Sequence, residues 1–331
     1  MFEGKAAPIR INEVATRDGL QNEAVFVETD DKVALVDRLS GLGYAKIEVT
    51  SFTSPAAIPA LRDAEAVMHR IRREPGVVYT ALVPNVRGGE RALECRIDEF
   101  NLVMSASETH NLANLRMTRP QSLRQLGEVA ALARSAKVPV NISLSCVFGC
   151  PMEGEVPAAA VLEWVGRLAD LGATGVTLCD TTGMAYPPQV HGVCAAIARA
   201  YPGLHLTGHF HNTRGMGLVN TLAALQAGIR QFDMSLGGIG GCPYAPGASG
   251  NVATEDVVHM LQCMGYDTGV DLAGLITAAH VLEELVGHAL PAQVSQAGHR
   301  LKRHDPPPGF DAIRARAHAR TSDNTTQPVA P

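Results

Sequence analysis

Short β-rich runs alternate with helix-patterned stretches over about 250 residues, and this alternation predicts an α/β fold of the (β/α)8 TIM barrel class. Eight runs are typical of strands, and they occupy residues 9–14, 45–50, 77–83, 99–104, 138–145, 175–179, 204–211 and 231–236. Apolar residues at helical spacing fill stretches between them, among them 30–42, 60–73, 123–136, 158–171, 190–200 and 218–228. A doubly wound parallel sheet would show a similar alternation, so the choice of a barrel depends on the count of eight strands.

The barrel is predicted to span residues 1–290 as one domain, because single α/β barrels commonly reach this length and no linker interrupts the alternation. After Ala289 the composition changes. The remainder, 291–331, contains the proline run 306–308, a basic stretch and an ending rich in Ser, Thr, Asn and Pro. We expect it to form a short C-terminal helical extension and tail that is largely disordered.

The bulk composition excludes several classes of partner. Apolar residues make up 46% of the chain and charged residues 18%, as in ordinary soluble proteins, and the net charge of −5 does not favour nucleic acid or anionic membranes. No apolar run approaches the ~20 residues of a membrane span, and the N-terminus lacks the apolar segment of a secretion signal. Seven scattered cysteines indicate reduced thiols. We therefore expect a cytoplasmic protein without nucleic-acid or membrane partners.

Two histidines at the end of the seventh strand are the first candidate ligands. His209 and His211 are two residues apart, so their side chains point to the same face of a strand. Two imidazoles on a stiff element suit one divalent metal ion. The alternative is that one or both fill a polar position in the core.

Other polar residues lie at the C-terminal ends of the predicted strands, where barrels gather their reacting groups. The first strand leads to Arg17 and Asp18, and the second contains Glu48 inside an apolar run, where a buried carboxylate needs a partner. Asp18 with the two histidines forms an oxygen and nitrogen donor set that suits Mg²⁺, Mn²⁺, Co²⁺ or Zn²⁺. Arg17 keeps its charge and can hold an oxyanion or a carboxylate, unless Arg17 and Glu48 form a structural ion pair.

A glycine-rich stretch, 237–251, follows the eighth strand and contains Cys242. It matches neither the dinucleotide fingerprint nor the P-loop, so a phosphate cradle is disfavoured. We interpret it as a mobile loop that delivers a thiol, which is mostly protonated at neutral pH and can donate a proton. The alternative for Cys242 is a small buried apolar side chain. Cys146 and Cys150 lack a second pair at zinc-site spacing and are interpreted as structural.

At these motifs the chain resembles the 3-hydroxy-3-methylglutaryl-CoA lyases, within the wider group of metal-dependent barrel lyases and aldolases. The resemblance covers roughly residues 8 to 288, and the matching stretches are 17–23 (RDGLQNE), 47–52 (IEVTSF), 145–151 (SCVFGCP), 209–211 (HFH), 240–245 (GGCPYA) and 247–256 (GASGNVATED). It implies a divalent metal, with Mg²⁺ or Mn²⁺ expected, on a ligand set of Asp18, His209, His211 and Asn251. It also implies a catalytic Arg17 and a proton-donating Cys242.

The resemblance further implies an acyl-CoA substrate and a retro-Claisen cleavage. A tertiary 3-hydroxyacyl-CoA loses its hydroxyl proton, the C2–C3 bond breaks, and the thioester enolate is held by Arg17 and protonated by Cys242. The base stays open between His209 and Glu48. Substrate-binding residues are expected to be Arg17, Gln21, Asp180 and Ser145. For the parent substrate the products are acetyl-CoA and acetoacetate, with a role in leucine degradation or ketone-body formation, and we expect a homo-oligomer, namely a dimer.

Three interpretations compete with this one. A lyase for a related substrate such as citramalyl-CoA is favoured by departures from the family near the pocket mouth: Asn212 and Arg214 stand where aspartate and tyrosine are usual, and Cys179 stands where glycine is usual. A Claisen-type synthase of the isopropylmalate synthase group shares the barrel and the histidine pair, but those synthases carry a long further domain. A catalytically inactive acyl-CoA-binding barrel would have no need of the complete residue set.

Overall fold

The computed structural model describes residues 8–241 and 250–323, without the side chains of 320–323, and it forms a closed barrel. The strands are β1 (Arg10–Glu13), β2 (Lys46–Ser51), β3 (Val78–Leu82), β4 (Glu99–Ser105), β5 (Val140–Ser145), β6 (Gly175–Asp180), β7 (His205–Phe210) and β8 (Gln231–Met234). Each strand pairs in parallel with the next, and β8 pairs with β1, with Asn12 opposite Asp233. The predicted TIM barrel is confirmed, and the doubly wound alternative is wrong.

Helices alternate with the strands along the chain, and further helices follow β8. They are α1 (Thr29–Ser40), α2 (Ala64–Arg70), α3 (Val86–Glu94), α4 (Glu108–Leu115), α5 (Arg119–Ser135), α6 (Ala158–Asp170), α7 (Pro187–Ala200), α8 (Gly217–Gln226), α9 (Thr254–Cys263), α10 (Leu272–Val286), α11 (Gln293–Ala297) and α12 (Phe310–Asp323). Each of the six predicted helical stretches contains most of one of these helices, whereas α3, α4, α9 and α10 lie in none of them. None of the helices in the described part of the chain is long and apolar enough to cross a membrane.

Two glycines explain why the pattern of α3 was hard to recognise. Gly88 and Gly89 lower the helix propensity of the segment. A Cβ atom on Gly89 would lie 2.8 Å from Leu132 and 3.2 Å from the ring of Phe100, so the helix needs glycine to approach its neighbours. Tertiary packing therefore sets this helix where local propensity does not.

The strands present polar side chains to the inside of the barrel and apolar ones to the helices. Interior side chains from different strands bond one another, namely Asn12, Glu48, Asn101, Asn141, Thr177 and Asp233. The opposite faces carry fully buried apolar residues, namely Ile11, Ile47, Phe100, Ile142, Val176 and Phe232. Because strand side chains alternate, one pattern builds both an apolar shell and a polar lumen.

Two local irregularities occur next to candidate site residues. The register between β2 and β3 shifts just after Glu48, which marks a β-bulge of the kind that re-aims side chains near functional sites. The seventh strand was expected to include His211 but ends at Phe210, because the backbone of His211 pairs with Asn251 of the loop after β8. His211 still follows His209 at the strand spacing.

The chain divides into two compact units, with the boundary between Ala297 and Gly298. The first contains the barrel and α11, and the described part of the second contains α12. The division at 290 and the largely disordered tail stay predictions about the domain organisation.

Candidate metal centre and active site

Arg17 and Asp18 lie in a single π-helical turn, Ala15–Gly19, which is separated from the end of β1 by one residue. The Glu13 carboxylate anchors this turn, because its Oε1 accepts the backbone N–H of Ala15 at 2.8 Å and that of Leu236, after β8, at 2.9 Å. The hydroxyl of Thr16 donates to the backbone carbonyl of Glu48 at 2.9 Å. These bonds tie the turn to β2 and to the segment after β8, so three parts of the site are held together.

Asp18, His209 and His211 form a cluster with the geometry of a cation site. One donor atom from each lies within 4.8 Å of the others. The Nε2 atoms of the two histidines are 3.2 Å apart, and both side chains are buried. The sequence-predicted donors are therefore brought together at the C-terminal end of the barrel.

Asn251 borders the cluster. Its Nδ2 donates to Asp18 Oδ2 at 2.8 Å and to the Ile239 carbonyl at 3.1 Å, which leaves the Oδ1 atom facing away from both. That Oδ1 is buried and has no hydrogen-bond partner among the described residues. A buried oxygen acceptor without a donor suits a cation, so the four residues fit a divalent metal by their chemistry.

The two histidines differ in their electrostatic surroundings. Burial lowers the pKa of His211 to about 3, and the neighbouring His209 adds to this effect, so the imidazole is neutral as a metal ligand must be. Burial would also lower the pKa of His209, but the carboxylates of Asp233 and Asp18 outweigh burial and raise it. The Oδ2 atom of Asp233 lies 3.7 Å from His209 Nδ1. A carboxylate behind a histidine is the usual means of orienting a metal-binding ring.

Arg17 joins two carboxylates. Its Nε and Nη2 contact Glu48 Oε2 at 2.7 and 2.6 Å, and its Nη1 contacts Asp18 Oδ1 at 2.8 Å. Burial alone would lower the pKa of Arg17, but the charges of Glu48 and Asp18 outweigh it and raise the pKa. Burial would raise the pKa of Asp18, whereas Arg17 and the two histidines lower it to about 2. The Arg17–Glu48 ion pair, which was the alternative to an anion-binding role for Arg17, is present, and Arg17 also contacts Asp18 of the candidate cation cluster.

Glu48 is buried and accepts N–H donors on both oxygens. Its Oε2 accepts from Arg17, and its Oε1 accepts from the Asn101 amide at 2.6 Å. Burial raises the pKa of Glu48, and the Arg17 charge and these donors oppose that effect. The hydrogen bonds fit an ionised carboxylate that holds the arginine.

The other expected substrate-binding residues are less tightly tied to the cluster than Arg17 is: Asp180 and Ser145 lie at strand ends, and Gln21 lies in the helical turn Leu20–Asn22. Asp180 ends β6, where its Oδ1 accepts the N–H groups of Met184 and Ala185 while Oδ2 is buried without a described partner. Burial raises the pKa of Asp180 to about 6. Gln21 has a buried Oε1 without a described partner, and Ser145 ends β5. Among the described residues, neither Gln21 nor Ser145 hydrogen-bonds the cluster.

Cys242 lies outside the described residues, so its position is not assigned. The described edges of its loop pack tightly: a Cβ atom on Gly240 would lie 2.6 Å from the Asn251 amide nitrogen, and one on Gly250 would lie 2.2 Å from the Gly240 carbonyl oxygen. Cys146 and Cys150 are both buried, and the Ser107 hydroxyl contacts Cys150 Sγ at 3.0 Å. The structural interpretation of those two cysteines agrees with their burial.

Three further polar residues support the site and were not anticipated from the sequence. Asp233 faces His209, Asn12 donates to Asp233 at 2.7 Å, and Asn101 donates to Glu48. Each is a polar residue inside an apolar strand, the signal that identified Glu48. In the sequence, that signal pointed only to the carboxylate of β2.

Two residues that depart from the family pattern have local structural roles. Asn212 Oδ1 accepts the N–H of Gly217 at 3.0 Å, so this side chain faces the start of α8. The exposed Arg214 donates to the carbonyls of Thr182 and Gly183. Both contacts secure the loops after β6 and β7.

An Asp–His–His cluster beside an arginine lies at the C-terminal end of a (β/α)8 barrel, as expected for the metal-dependent barrel lyases and aldolases that the motifs resemble. The chain belongs to the HMGL-like family, whose family model matches residues 8–282.

The similar proteins include lyases for two different acyl-CoA substrates. The chain is 48% identical over 285 residues to the hydroxymethylglutaryl-CoA lyase YngG of Bacillus subtilis, covering 86% of this chain and 95% of that protein. It is 40% identical to the (R)-citramalyl-CoA lyase of Chloroflexus aurantiacus, covering 88% and 95%. The structure superposes with a TM-score of 0.87 on an HMG-CoA lyase from Acinetobacter baumannii in complex with coenzyme A and 3-methylmalate, at 45% identity, covering 91% of this chain and 98% of that one.

Proposed function

We propose that this chain is a divalent-metal-dependent carbon–carbon lyase that cleaves 3-hydroxy-3-methylglutaryl-CoA to acetyl-CoA and acetoacetate. The observation that carries the proposal is the contact of Arg17 with Asp18, which places a fixed positive charge directly beside the cation cluster. The similarity to hydroxymethylglutaryl-CoA lyases supports the same reaction.

The residues divide the work of a retro-Claisen cleavage between them. Asp18, His209, His211 and Asn251 would hold the cation, which when bound, as Mg²⁺ or Mn²⁺, would stabilise negative charge on the substrate hydroxyl. Arg17 is held rigidly by Glu48 and stabilises the negative charge that develops on the thioester oxygen. Because both Glu48 oxygens already accept N–H donors, Glu48 anchors Arg17. His209 can act as the base only when the substrate displaces its ring from the cation, because a metal-bound ring nitrogen has no lone pair for a proton.

The substrate pocket is proposed to include Arg17, Gln21, Asp180 and Ser145. Asp180 and Gln21 each present a buried oxygen without a described partner, and such atoms need donors from a bound molecule or water. Binding of acyl-CoA by these residues follows from the lyase proposal, whereas the homodimer stays a prediction. A role in leucine degradation or ketone-body formation stays a prediction. The described cysteines are free thiols, which supports a reducing compartment such as the cytoplasm.

Cys242 is proposed as the proton donor to the enolate, on the basis of its loop motif. Cys242→Ala should lower kcat by roughly 10²- to 10⁴-fold with little change in KM, the range for a positioned acid. Cys263→Ala, which removes an exposed thiol elsewhere, is the matched control. A drop of tenfold or less in Cys242→Ala would assign the thiol to packing.

The substrate is tested by comparing kcat/KM for 3-hydroxy-3-methylglutaryl-CoA, citramalyl-CoA and longer branched analogues, with products identified by mass spectrometry. We expect equimolar acetyl-CoA and acetoacetate from the first compound. A clear preference for citramalyl-CoA would support the second candidate, which is favoured by the similarity to the Chloroflexus lyase. Binding of every compound without cleavage would instead identify an inactive acyl-CoA-binding barrel. Condensation of an acyl-CoA with a keto acid, without cleavage, would identify a synthase.

A further inference from the structure

A hydrogen-bonded row of side chains crosses the barrel lumen beneath Arg17. Asn101, on β4, donates from Nδ2 to Glu48 Oε1 at 2.6 Å. Its Oδ1 accepts from Asn141 Nδ2 and from Ser143 Oγ, both on β5 and both at 3.0 Å. Asn141 also donates to Thr177 Oγ1, on β6, at 2.9 Å. The row therefore links three strands to the carboxylate that holds Arg17.

The donors of this row fix the orientation of the Asn101 amide. Two donors converge on Oδ1, so the amide nitrogen must face Glu48. The reverse orientation would place an amide oxygen against a carboxylate oxygen at 2.6 Å and would leave both donors unpaired. All the side chains in the row are buried, so water does not readily replace these bonds.

We propose that Asn101 is a positioning residue for the reaction, acting through Glu48 on Arg17. Glu48 Oε2 bonds Arg17, and Asn101 holds the other oxygen, so the carboxylate plane cannot rotate away from the guanidinium. The Arg17 edge that contacts Asp18 is thereby kept beside the cation cluster. The catalytic consequence rests on the proposed lyase function, whereas the effect on Arg17 does not.

Two substitutions separate hydrogen bonding from packing. Asn101→Leu removes the donor at similar volume, and Asn101→Asp keeps the shape but presents an acceptor to Glu48. Each should lower kcat by roughly 10- to 100-fold, the usual cost of losing a partner of a site residue, while KM changes little because Asn101 bonds none of the residues proposed to bind substrate. Thr177→Val is the matched control, because it removes a buried hydroxyl of the same row without touching Asn101 or Glu48.

A second readout does not depend on activity. The Arg17 Nε–H, bonded to Glu48, should give a slowly exchanging signal in ¹⁵N-arginine NMR spectra, assigned by its loss in Arg17→Lys. In both Asn101 variants this proton should exchange faster or shift, and in Thr177→Val it should not. Circular dichroism and thermal unfolding verify the fold, and Asn101→Asp remains informative if Asn101→Leu fails to fold.

The outcomes are distinct. Reduced kcat with a perturbed Arg17 signal in the Asn101 variants supports the proposal. Wild-type kcat, or an unchanged Arg17 signal, in folded Asn101→Asp would overturn it. If the wild-type protein cleaves no acyl-CoA, the proposed function fails, and the Arg17 signal alone then decides whether Asn101 positions the arginine.

Discussion

At the scale of single residues, the site depends on charges that are buried but paired. Arg17 lies between Glu48 and Asp18, and each carboxylate also accepts an amide N–H, from Asn101 and Asn251 respectively. Buried charges are tolerated when they are paired and hydrogen-bonded, and removing one partner leaves an uncompensated charge. The same pairing holds the guanidinium in one orientation.

Replacement of Arg17 by lysine tests whether that orientation matters. Arg17→Lys keeps the positive charge, but a single ammonium group cannot reproduce the planar contacts with both Glu48 and Asp18. We expect kcat to fall by roughly 10²- to 10³-fold, as for loss of a donor to developing negative charge, with Mn²⁺ affinity nearly unchanged. Steady-state kinetics and a Mn²⁺ titration measure the two effects. A kcat within a fewfold of wild type would show that charge alone suffices.

Glu255 gives a pH dependence of stability. Burial raises its pKa from the ordinary 4.5 to about 8, although it accepts the Gly237 N–H. The folded state then retains a proton that the unfolded state loses above pH 4.5, so this group makes stability fall as pH rises to about 8. Glu255→Gln mimics the neutral form and should remove this slope, at most about 1.4 kcal/mol per pH unit. Urea unfolding at several pH values measures it, with the exposed Glu284→Gln as control. Parallel wild-type and Glu255→Gln curves would contradict the assignment.

At the scale of elements, the loops after β1, β7 and β8 interlock through backbone contacts. Glu13 bonds the first residues after β1 and β8, and His211 pairs with Asn251. The segment after β8 approaches so closely that glycine is required: Gly240 has a φ of +100° and lies beside the Asn251 amide. The loops therefore form one assembly that positions the ligands.

Gly240→Ala tests this interlock. The new Cβ would lie 2.6 Å from Asn251 Nδ2 and should displace that side chain from Asp18. We expect Mn²⁺ affinity to fall by roughly 10- to 100-fold. Gly228→Ala is a matched control, because Gly228 has a similar φ of +103° but no atom within 4 Å of the added Cβ. Equal effects of the two substitutions on Mn²⁺ affinity would attribute the loss to backbone strain.

Sequence patterns predicted the strands and several helices, but they did not predict the side chains that hold the site residues in place. Eight strands and the clustering of Asp18, His209 and His211 follow from periodicity and from the rule that barrel sites lie at C-terminal strand ends. The supporting roles of Asn101 and Asp233 could not be predicted, because the function of a polar residue within a strand depends on its neighbours on the adjacent strands. The helix α3 was not predicted because its glycines, which lower helix propensity, are needed for close packing against Phe100 and Leu132. Both omissions concern contacts between residues distant in the chain.

At the scale of the whole barrel, a polar lumen lies inside an apolar shell. Two rows of hydrogen-bonded side chains rise through the lumen to the site. One consists of Asn141, Asn101 and Glu48 and reaches Arg17, and the other consists of Gln231, Asn12 and Asp233 and reaches His209. Catalytic groups held by a second layer of bonds on rigid strands are preorganised for the transition state. The apolar shell stabilises the fold, and the polar side chains of the lumen orient Arg17 and His209.

The proposed lyase function depends most directly on the requirement of cleavage for a metal ion. Protein stripped with a chelator is titrated with Mn²⁺, and formation of acetyl-CoA and acetoacetate from 3-hydroxy-3-methylglutaryl-CoA is measured at each ratio. We expect no cleavage without metal, activity that rises in proportion until one ion is bound per chain, and neither binding nor activity in His211→Ala. Full cleavage by the stripped protein, or full metal content and activity in His211→Ala, would contradict this expectation.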